Sequence, residues 1–282
     1  MMLQAVAEIL RSRGVEGWLV GGSVRDLELG RESPDLDIVV AGDAAAVAKE
    51  VAAALGAPWF VLSERHPTYR VMGPEGHVDV AAVRGGGILD DLGERDFTVN
   101  AMALPIRDGF PDGAHTGAGA VPEAGPRAPV DREALTDPFG GLEHLREHRL
   151  VAVSDRAFSD DPLRLMRAAR FCHVLGFEID GGLAGSIRAH APELARTAME
   201  RVAAEMALTL AGGRSAEAAL LWSDLGLLGV VLPEVAAAAR LEPAVALLAQ
   251  LDDVLARLIV WFPATADVVR GRLAAAAAQY CQ

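Results

Sequence analysis

Residues 19–42 of the chain read LVGGSVRDLELGRESPDLDIVVAG. The apolar run before Gly21-Gly22 predicts a strand that ends in a tight turn, and the residues after the turn predict a helix. A second apolar run follows the acidic residues Asp35 and Asp37 and predicts another strand. Strand, glycine turn, helix and acidic strand in this order indicate a domain that mixes strands with helices.

Further strand and helix patterns lie on either side of this stretch. Short apolar or alternating runs predict strands at residues 18–20, 36–40, 59–62, 69–72, 77–83 and 150–153. Helical spacing of apolar residues predicts helices at residues 43–55, 160–175, 181–190, 199–211, 214–225, 242–260 and 264–280. Between them, the proline- and glycine-rich segment 106–136 predicts a long loop. The expected fold is therefore α+β, with a mixed sheet and helices over residues 1–155 and an all-helical part over 156–282.

Composition limits the classes of protein that fit this chain. Its 282 residues are 51% hydrophobic and 23% charged, which is typical of a globular protein and excludes general disorder. The net charge of −13 excludes a surface coated with basic residues, although a local basic cleft remains compatible with it. Two cysteines, Cys172 and Cys281, are too few for a disulfide framework and predict free thiols. With no signal peptide or membrane-spanning run in the sequence, we expect a cytoplasmic protein that does not enter a membrane.

Acidic residues within apolar strands indicate the chemistry of the first domain. Residues two apart on a strand face the same side, so Asp35 and Asp37 share a face, and Asp79 lies in another apolar run. Mg²⁺ prefers carboxylate oxygens and keeps positions open for phosphate. Three carboxylates on adjacent strands would suit two metal ions and an in-line phosphoryl transfer. The alternative is an acidic pair at a surface turn with no catalytic role.

The glycine turn is a candidate phosphate site. Backbone N–H groups at the start of a helix can bind phosphate, and the glycines Gly21 and Gly22 let the backbone come close to it. Ser23 follows the turn, and Arg25 adds a guanidinium that can bind phosphate oxygens in a fork. A tight turn without any ligand is the alternative for the glycine pair alone.

Several motifs together resemble one family. The stretch at residues 19–42 is followed by VDVAAVRGGGILDDLGERDFTVNAMAL, DPFGGLEHLREHRLVAV, FSDDPLRLMRAARF, MERVAAEM and LWSDLGLLGVVLPEV. In this order they closely resemble the class II tRNA nucleotidyltransferases, or CCA-adding enzymes, and the related bacterial poly(A) polymerases. The resemblance covers residues 18–235. It implies a polymerase-β-like nucleotidyltransferase head domain, followed by a helical neck and part of a helical body.

The resemblance also implies roles for individual residues. Asp35 and Asp37 correspond to the metal-binding catalytic pair, with Asp79 as the supporting acid. The residues that it assigns to nucleotide binding are Gly21, Gly22, Ser23, Arg25, Arg95, Asn100, Asp161, Arg164, Arg167 and Arg170. Glu200, Arg201 and Glu205 match the neck motif that braces the recognition helix.

The base would be read by Asp161 and Arg164, which are three residues apart and are therefore expected to be neighbours on a helix. A carboxylate accepts a hydrogen bond from an exocyclic amine, and a guanidinium donates to a ring nitrogen or a carbonyl oxygen. This pair can match the Watson–Crick edge of cytosine or adenine, so a protein pair would replace a template base. The alternative is an ordinary salt bridge on a solvated helix face.

The implied activity is template-independent addition of CMP, AMP or both, from CTP and ATP, to the 3′ end of a tRNA, with two Mg²⁺ ions. The alternatives are a specialist that adds only A or only CC, a poly(A) polymerase, and a non-catalytic module that binds nucleotides or RNA ends. The family normally continues into body and tail helices that hold the tRNA, whereas this chain ends at Gln282. The alternatives are a truncated chain, a minimal form of the enzyme, and a homo-oligomer or partner subunit that supplies the grip on tRNA.

Overall fold

The computed structural model describes residues 2–31, 33–63, 66–73, 76–106, 133–211, 213–236, 241–250 and 252. The chain divides into two compact units, Met1–Arg146 and Glu147–Gln282. The domain boundary near residue 155 stays a prediction.

The first unit contains a mixed six-stranded sheet. Its strands are β1 Gly17–Val20, β2 Leu36–Val40, β3 Trp59–Ser63, β4 Thr68–Met72, β5 His77–Ala82 and β6 Ala103–Pro105. Their order across the sheet is β3-β4-β5-β2-β1-β6, in which β2 and β5 are parallel and the other neighbours are antiparallel. Its helices are α1 Met2–Arg13, α2 Gly22–Glu28, α3 Ala44–Leu55, α4 Ile88–Gly93 and α5 Gly141–Arg146, with a 3₁₀ turn at Thr98–Asn100.

Helix α3 shows how local sequence sets an element. The Asp43 side chain accepts a hydrogen bond from the backbone N–H of Ala46 and caps the first turn. Gly56 ends the helix in the left-handed conformation, with a φ of 60°, which glycine adopts without steric cost. The buried residues Val47 and Val51 lie on the same face, and the helix packs on β4 and β5.

Strand register brings distant polar residues into one row. The parallel pairing of β2 with β5 sets Asp37 opposite Asp79, and the antiparallel pairing of β4 with β5 sets Arg70 opposite Asp79. The apolar neighbours Ile38 and Val80 are fully buried, and they form part of the core under this row. The sheet therefore holds an arginine and two aspartates side by side.

The second unit is helical where it is described. Its elements are α6 Ala157–Asp160, α7 Leu163–Leu175, α8 Gly181–His190, a 3₁₀ segment Ala191–Arg196, α9 Met199–Ala211, α10 Ser215–Asp224, α11 Leu228–Val231, α12 Pro233–Ala236 and a helix at residues 241–250. The predicted α+β class, with a mixed sheet and helices followed by helices, is confirmed. Cys172 on α7 is a buried free thiol, and burial raises its pKa to about 12.

Two sequence predictions of secondary structure are wrong. Residues 150–153 do not form a strand, because Arg149, which bridges to Glu178, and Ala152 lie at isolated bridge positions and not in a run of paired residues. The predicted helix 160–175 is interrupted, since α6 ends at Asp160 and α7 begins at Leu163. The break lies at Asp161, whose backbone is extended because the ring of the following proline disfavours a helical conformation there.

Some predicted segments cannot be compared with the structure. Residues 107–132 of the expected loop, most of the helix end at 251–260 and the whole of the helix 264–280 lie outside the described residues, as does Cys281. Within the described ranges, no helix combines the length and the apolar character needed to cross a membrane.

Candidate active site

The turn after β1 lies directly against charged side chains. Gly21 has a φ of 66°, and a Cβ added to it would lie 2.8 Å from Arg95 Nη1 and 3.2 Å from Asp37 Oδ2. A Cβ on Gly22 would lie 3.4 Å from Arg25 Nη2. Only glycine therefore fits at position 21, and the bare backbone of the turn adjoins one carboxylate and two guanidinium groups.

Ser23 connects this turn to the acidic strand. Its hydroxyl donates to the backbone oxygen of Asp35 at 3.1 Å and accepts from the backbone N–H of Asp37 at 2.8 Å. The side chain is only 6% exposed. The hydroxyl thus holds the start of α2 against β2, and its hydrogen-bonding capacity is used inside the protein.

The surroundings of Asp37 shift the pKa of its carboxyl. Burial raises the pKa of its carboxyl above the usual value, and the negative charge of Asp79 acts in the same direction. The positive charges of Arg95, His77 and Arg25 oppose this rise but do not cancel it. A cation beside Asp37 would favour the charged form, so the position suits a metal ion.

The other two predicted acids are held by basic partners. Arg70 Nε and Nη2 each lie 2.7 Å from an oxygen of Asp79, in a bidentate pair. His77 Nδ1 lies 2.6 Å from Asp35 Oδ1, and the Asp35 side chain is 48% exposed. Within the described ranges, no three His, Cys, Asp or Glu side chains are grouped to hold a metal ion. Asp35 and Asp37 stay the predicted metal ligands, and Arg70 binds both oxygens of Asp79.

Asn100 and Arg25 form one buried network. Arg25 Nη1 donates to Asn100 Oδ1 at 2.7 Å, and Asn100 Nδ2 donates to Asp96 Oδ1 at 3.0 Å. Asp26 also binds the Arg25 guanidinium, at 2.9 and 3.1 Å. Asn100 is only 5% exposed, so its hydrogen bond to Arg25 is buried.

Asp161 and Arg164 have a different local structure from the one expected. Asp161 precedes α7 instead of lying on it, and its carboxylate accepts from the backbone N–H of Leu163 at 3.2 Å and from Arg201 Nη2 at 3.0 Å. Arg164 is in the first turn of α7, and its Nη1 donates to the backbone oxygen of Ala157 at 3.3 Å. The two residues lie on either side of the start of α7, with Pro162 and Leu163 between them.

The remaining second-unit residues join two helices. Arg170 Nε on α7 lies 2.7 Å from Glu205 Oε2 on α9, and Arg167 Nη1 lies 3.5 Å from the other oxygen. The Arg170 guanidinium is 4.5 Å from the centre of the Phe171 ring. Glu205 is buried, whereas Glu200 is exposed in the first turn of α9.

Sequence reasoning overlooked three polar residues of the first unit, Arg70, His77 and Asp91. Asp91 binds Arg84 and Arg95, Arg70 binds Asp79, and His77 contacts Asp35. Arg70 and His77 could have been noticed as polar residues in predicted strands. Asp91 carried no such signal, because it stands in an acidic helix start where exposed acids are common.

The mixed sheet, the glycine turn and the adjoining acid pair define a polymerase-type head fold. Residues 17–90 match the family model described as "Poly A polymerase head domain". Residues 176–239 match the model described as "Probable RNA and SrmB- binding site of polymerase A". In these two segments the chain is similar to the family of class II tRNA nucleotidyltransferases and bacterial poly(A) polymerases.

Several known proteins are similar to most of this chain. A CC-adding tRNA nucleotidyltransferase of Geobacter sulfurreducens is 36% identical over 71% of this chain and 42% of its own length. An A-adding tRNA nucleotidyltransferase of Deinococcus radiodurans is 35% identical over 77% of this chain and 45% of its own. A structure of the Thermotoga maritima CCA-adding enzyme complexed with tRNA has a TM-score of 0.66 and 25% identity, over 82% of this chain and 52% of that one. The chain thus spans about half the length of these relatives.

Proposed function

We propose that this chain is a template-independent nucleotidyltransferase that adds CMP, AMP or both to the 3′ end of a tRNA. One observation carries the proposal: the Asp37 carboxylate and the Arg95 guanidinium both lie next to the Gly21 backbone. An acid, open backbone and a cation together suit a metal-bound triphosphate. The similar proteins are CC-, A- and CCA-adding enzymes, one of them solved with tRNA, which supports tRNA as the acceptor. A similar tRNA-processing enzyme solved with CTP and a similar CCA-adding enzyme solved with ATP support these nucleotides as donors.

Asp35 and Asp37 would hold Mg²⁺, in the two-metal arrangement expected for phosphoryl transfer. Their carboxylate oxygens are the ligands that Mg²⁺ prefers, and the raised pKa of Asp37 indicates a charge that lacks full compensation within the protein. When bound, the metal would supply positive charge for the attacking 3′ oxygen and the departing pyrophosphate. Asp79 would act indirectly, because Arg70 binds both of its oxygens.

The arginines and glycines would bind the nucleotide. Arg25 and Arg95 carry the positive charge next to the turn, so we assign the triphosphate to them and to the Gly21-Gly22 backbone. Asn100 would act through Arg25, to which its amide is hydrogen-bonded. Ser23 would hold the acidic strand in place through its two backbone contacts.

Base selection would fall to Asp161 and Arg164 of the second unit, which together offer an acceptor and donors for a Watson–Crick edge. Arg167 and Arg170 would support α7 through Glu205, with Arg201 steadying Asp161. Glu200, which is exposed on α9, stays a predicted neck residue. A cytoplasmic location, and a homo-oligomer or partner subunit that grips tRNA, also stay predictions.

The test is an incorporation assay with purified protein, Mg²⁺ and labelled CTP or ATP. The primers are tRNAs that end at the discriminator base, at C and at CC, with an unstructured RNA as control. Addition to tRNA alone supports the proposal, and the added bases distinguish CC, A and CCA addition. Long tails on any RNA would instead indicate a poly(A) polymerase.

The test variant is the double substitution Asp35→Asn with Asp37→Asn, and its matched control is Asp43→Asn. The first pair removes the charges assigned to the metal and should abolish incorporation, whereas asparagine at position 43 can still cap α3 and should preserve it. Incorporation by the Asp35/Asp37 double variant would overturn the metal assignment. CTP binding by the folded wild-type protein without any incorporation would support a non-catalytic module.

A further inference from the structure

We propose that Asp91 is a positioning residue for Arg95. It holds the Arg95 guanidinium so that Nη1, which Asp91 does not bind, points to the nucleotide at the Gly21 turn. The inference rests on the proposed function, because it assumes that a nucleotide binds at that turn. It goes further by assigning a task to a buried acid that contacts neither the turn nor the acidic pair.

The contacts of Asp91 select one orientation of Arg95. Asp91 Oδ2 accepts from Arg95 Nη2 at 2.9 Å and from Arg95 Nε at 3.2 Å. Arg95 Nη1 is thereby directed to the other side, where it lies 2.8 Å from the place of a Cβ on Gly21. A guanidinium is planar and rigid, so fixing two of its nitrogens also fixes the direction of the third.

Arg84 helps to neutralise the buried charge of Asp91. Asp91 is 1% exposed, and its other oxygen accepts from Arg84 Nε at 2.8 Å. Arg84 Nη2 also donates to the backbone oxygen of Asp91 at 3.1 Å. Two cations share one buried anion, so the group as a whole keeps one positive charge and the side of Arg95 that faces Gly21 can still attract a triphosphate.

The balance of these interactions keeps Asp91 ionised. Burial by itself would raise the pKa of the carboxyl, but the Arg84 hydrogen bond and the charges of Arg95 and Arg84 lower it below its usual value. The acid is therefore available as a fixed acceptor, and Arg95 is oriented before the nucleotide arrives. Such preorganisation lowers the entropy cost of binding.

The neighbouring Asp90 provides a matched control. It is exposed, and its carboxylate accepts from the backbone N–H of Gly86 at 2.6 Å. The variants Asp91→Asn and Asp90→Asn therefore make the same chemical change at adjacent positions of α4. Only the first removes the charge that orients Arg95.

The experiment measures CTP and ATP binding to the full chain by calorimetry with Mg²⁺ and without primer, and then KM and kcat. We expect Asp91→Asn to weaken nucleotide binding about tenfold, because charge-assisted hydrogen bonds are lost. The KM for nucleotide should rise while the KM for primer tRNA stays constant. Asp90→Asn should change nucleotide affinity less than about twofold.

Non-additivity separates positioning from a general structural effect. The Arg95→Met variant should bind nucleotide weakly, and adding Asp91→Asn to it should cause little further loss, because both changes remove the same contact. Additive losses, or unchanged binding by Asp91→Asn, would overturn the inference. If wild-type protein binds neither CTP nor ATP, the proposed function itself fails.

A second variant keeps the inference testable if Asp91→Asn does not fold. Arg95→Lys retains the positive charge and can still pair with Asp91. Lysine has a single nitrogen, so when that nitrogen binds Asp91 no other nitrogen points towards Gly21. We expect it to lose nucleotide affinity about as much as Asp91→Asn would, roughly tenfold. Affinity equal to that of the wild type would contradict the positioning role.

Discussion

The carboxyl pKa values of two aspartates in the first unit are shifted in opposite directions. The pKa of Asp37 is raised, because burial outweighs the attraction of Arg95, His77 and Arg25. The pKa of Asp91 is lowered, because two arginines bind its carboxylate directly. A buried acid with hydrogen-bonded cations is a structural anchor, whereas one without them is ready to bind a cation.

This difference predicts how stability depends on pH at Asp37. Its folded pKa lies above the ordinary 3.8, so its charging destabilises the folded state as the pH rises through the interval between the two values. Asp37→Asn in metal-free buffer should therefore melt about 2–4 °C higher than the wild type near pH 7, as expected for about 1 kcal/mol.

The difference in melting temperature should disappear below about pH 3.8, where the carboxyl is protonated in both states. Thermal melts in EDTA across this pH range provide the measurement, with Asp43→Asn as the control for an exposed acid. A lower melting temperature for Asp37→Asn near pH 7 would contradict the assigned cause.

At the scale of elements, one acid connects α7 with α9. Glu205 on α9 binds Arg170 and Arg167 on α7. The hydroxyl of Thr209, one turn later on α9, donates to the backbone oxygen of Glu205 at 2.8 Å. Glu205 is 7% exposed, so its charge depends on these arginines for compensation. The contact therefore fixes the rotation of α7, the helix that also carries Arg164.

We expect Glu205→Gln to lower the free energy of unfolding by about 2 kcal/mol, because buried charge-assisted hydrogen bonds are replaced by weaker ones. Glu200→Gln on the exposed side of the same helix should change it by less than about 0.5 kcal/mol. Urea denaturation of the two variants compares them directly. Equal losses would show that the α7–α9 ion pair contributes nothing specific.

At the scale of the whole molecule, the balance of charge is unusual for a protein assigned to RNA. The chain has 39 acidic and 26 basic residues, apart from histidine, for a net charge of −13. Such a protein repels a polyanion at long range, and only local groups of arginines can bind phosphates. Few counterions should then be released when the primer binds.

We therefore expect a weak dependence of primer binding on salt. A logarithmic plot of the KM for tRNA against KCl concentration, between about 50 and 200 mM at constant Mg²⁺, should have a slope below about 3. This corresponds to no more than about four released counterions. A slope of about 6 or more, typical of basic nucleic-acid-binding proteins, would indicate an extensive phosphate interface that the net charge hides.

Much of the fold was predictable because its patterns are local. Leu36–Val40 forms the strand that its apolar run predicts, and α3 begins after Asp43 and ends before Gly56 as capping rules require. The predicted strand at 150–153 failed because a strand needs a partner, and pairing is not a local property. The helix break at Asp161 was readable in principle from Pro162.

The sequence by itself determined the α+β class and the resemblance to nucleotidyltransferases, and it predicted the acidic pair, since these depend on residue order and short-range periodicity. Only the tertiary structure decided which groups the arginines contact: Asp79 for Arg70, Asn100 for Arg25, and both Asp91 and the Gly21 turn for Arg95. Most of these contacts depend on strand register and helix packing between segments far apart in the chain. Hydrogen bonds act over about 3 Å, so the partner of a charged side chain is settled only when the whole unit is packed.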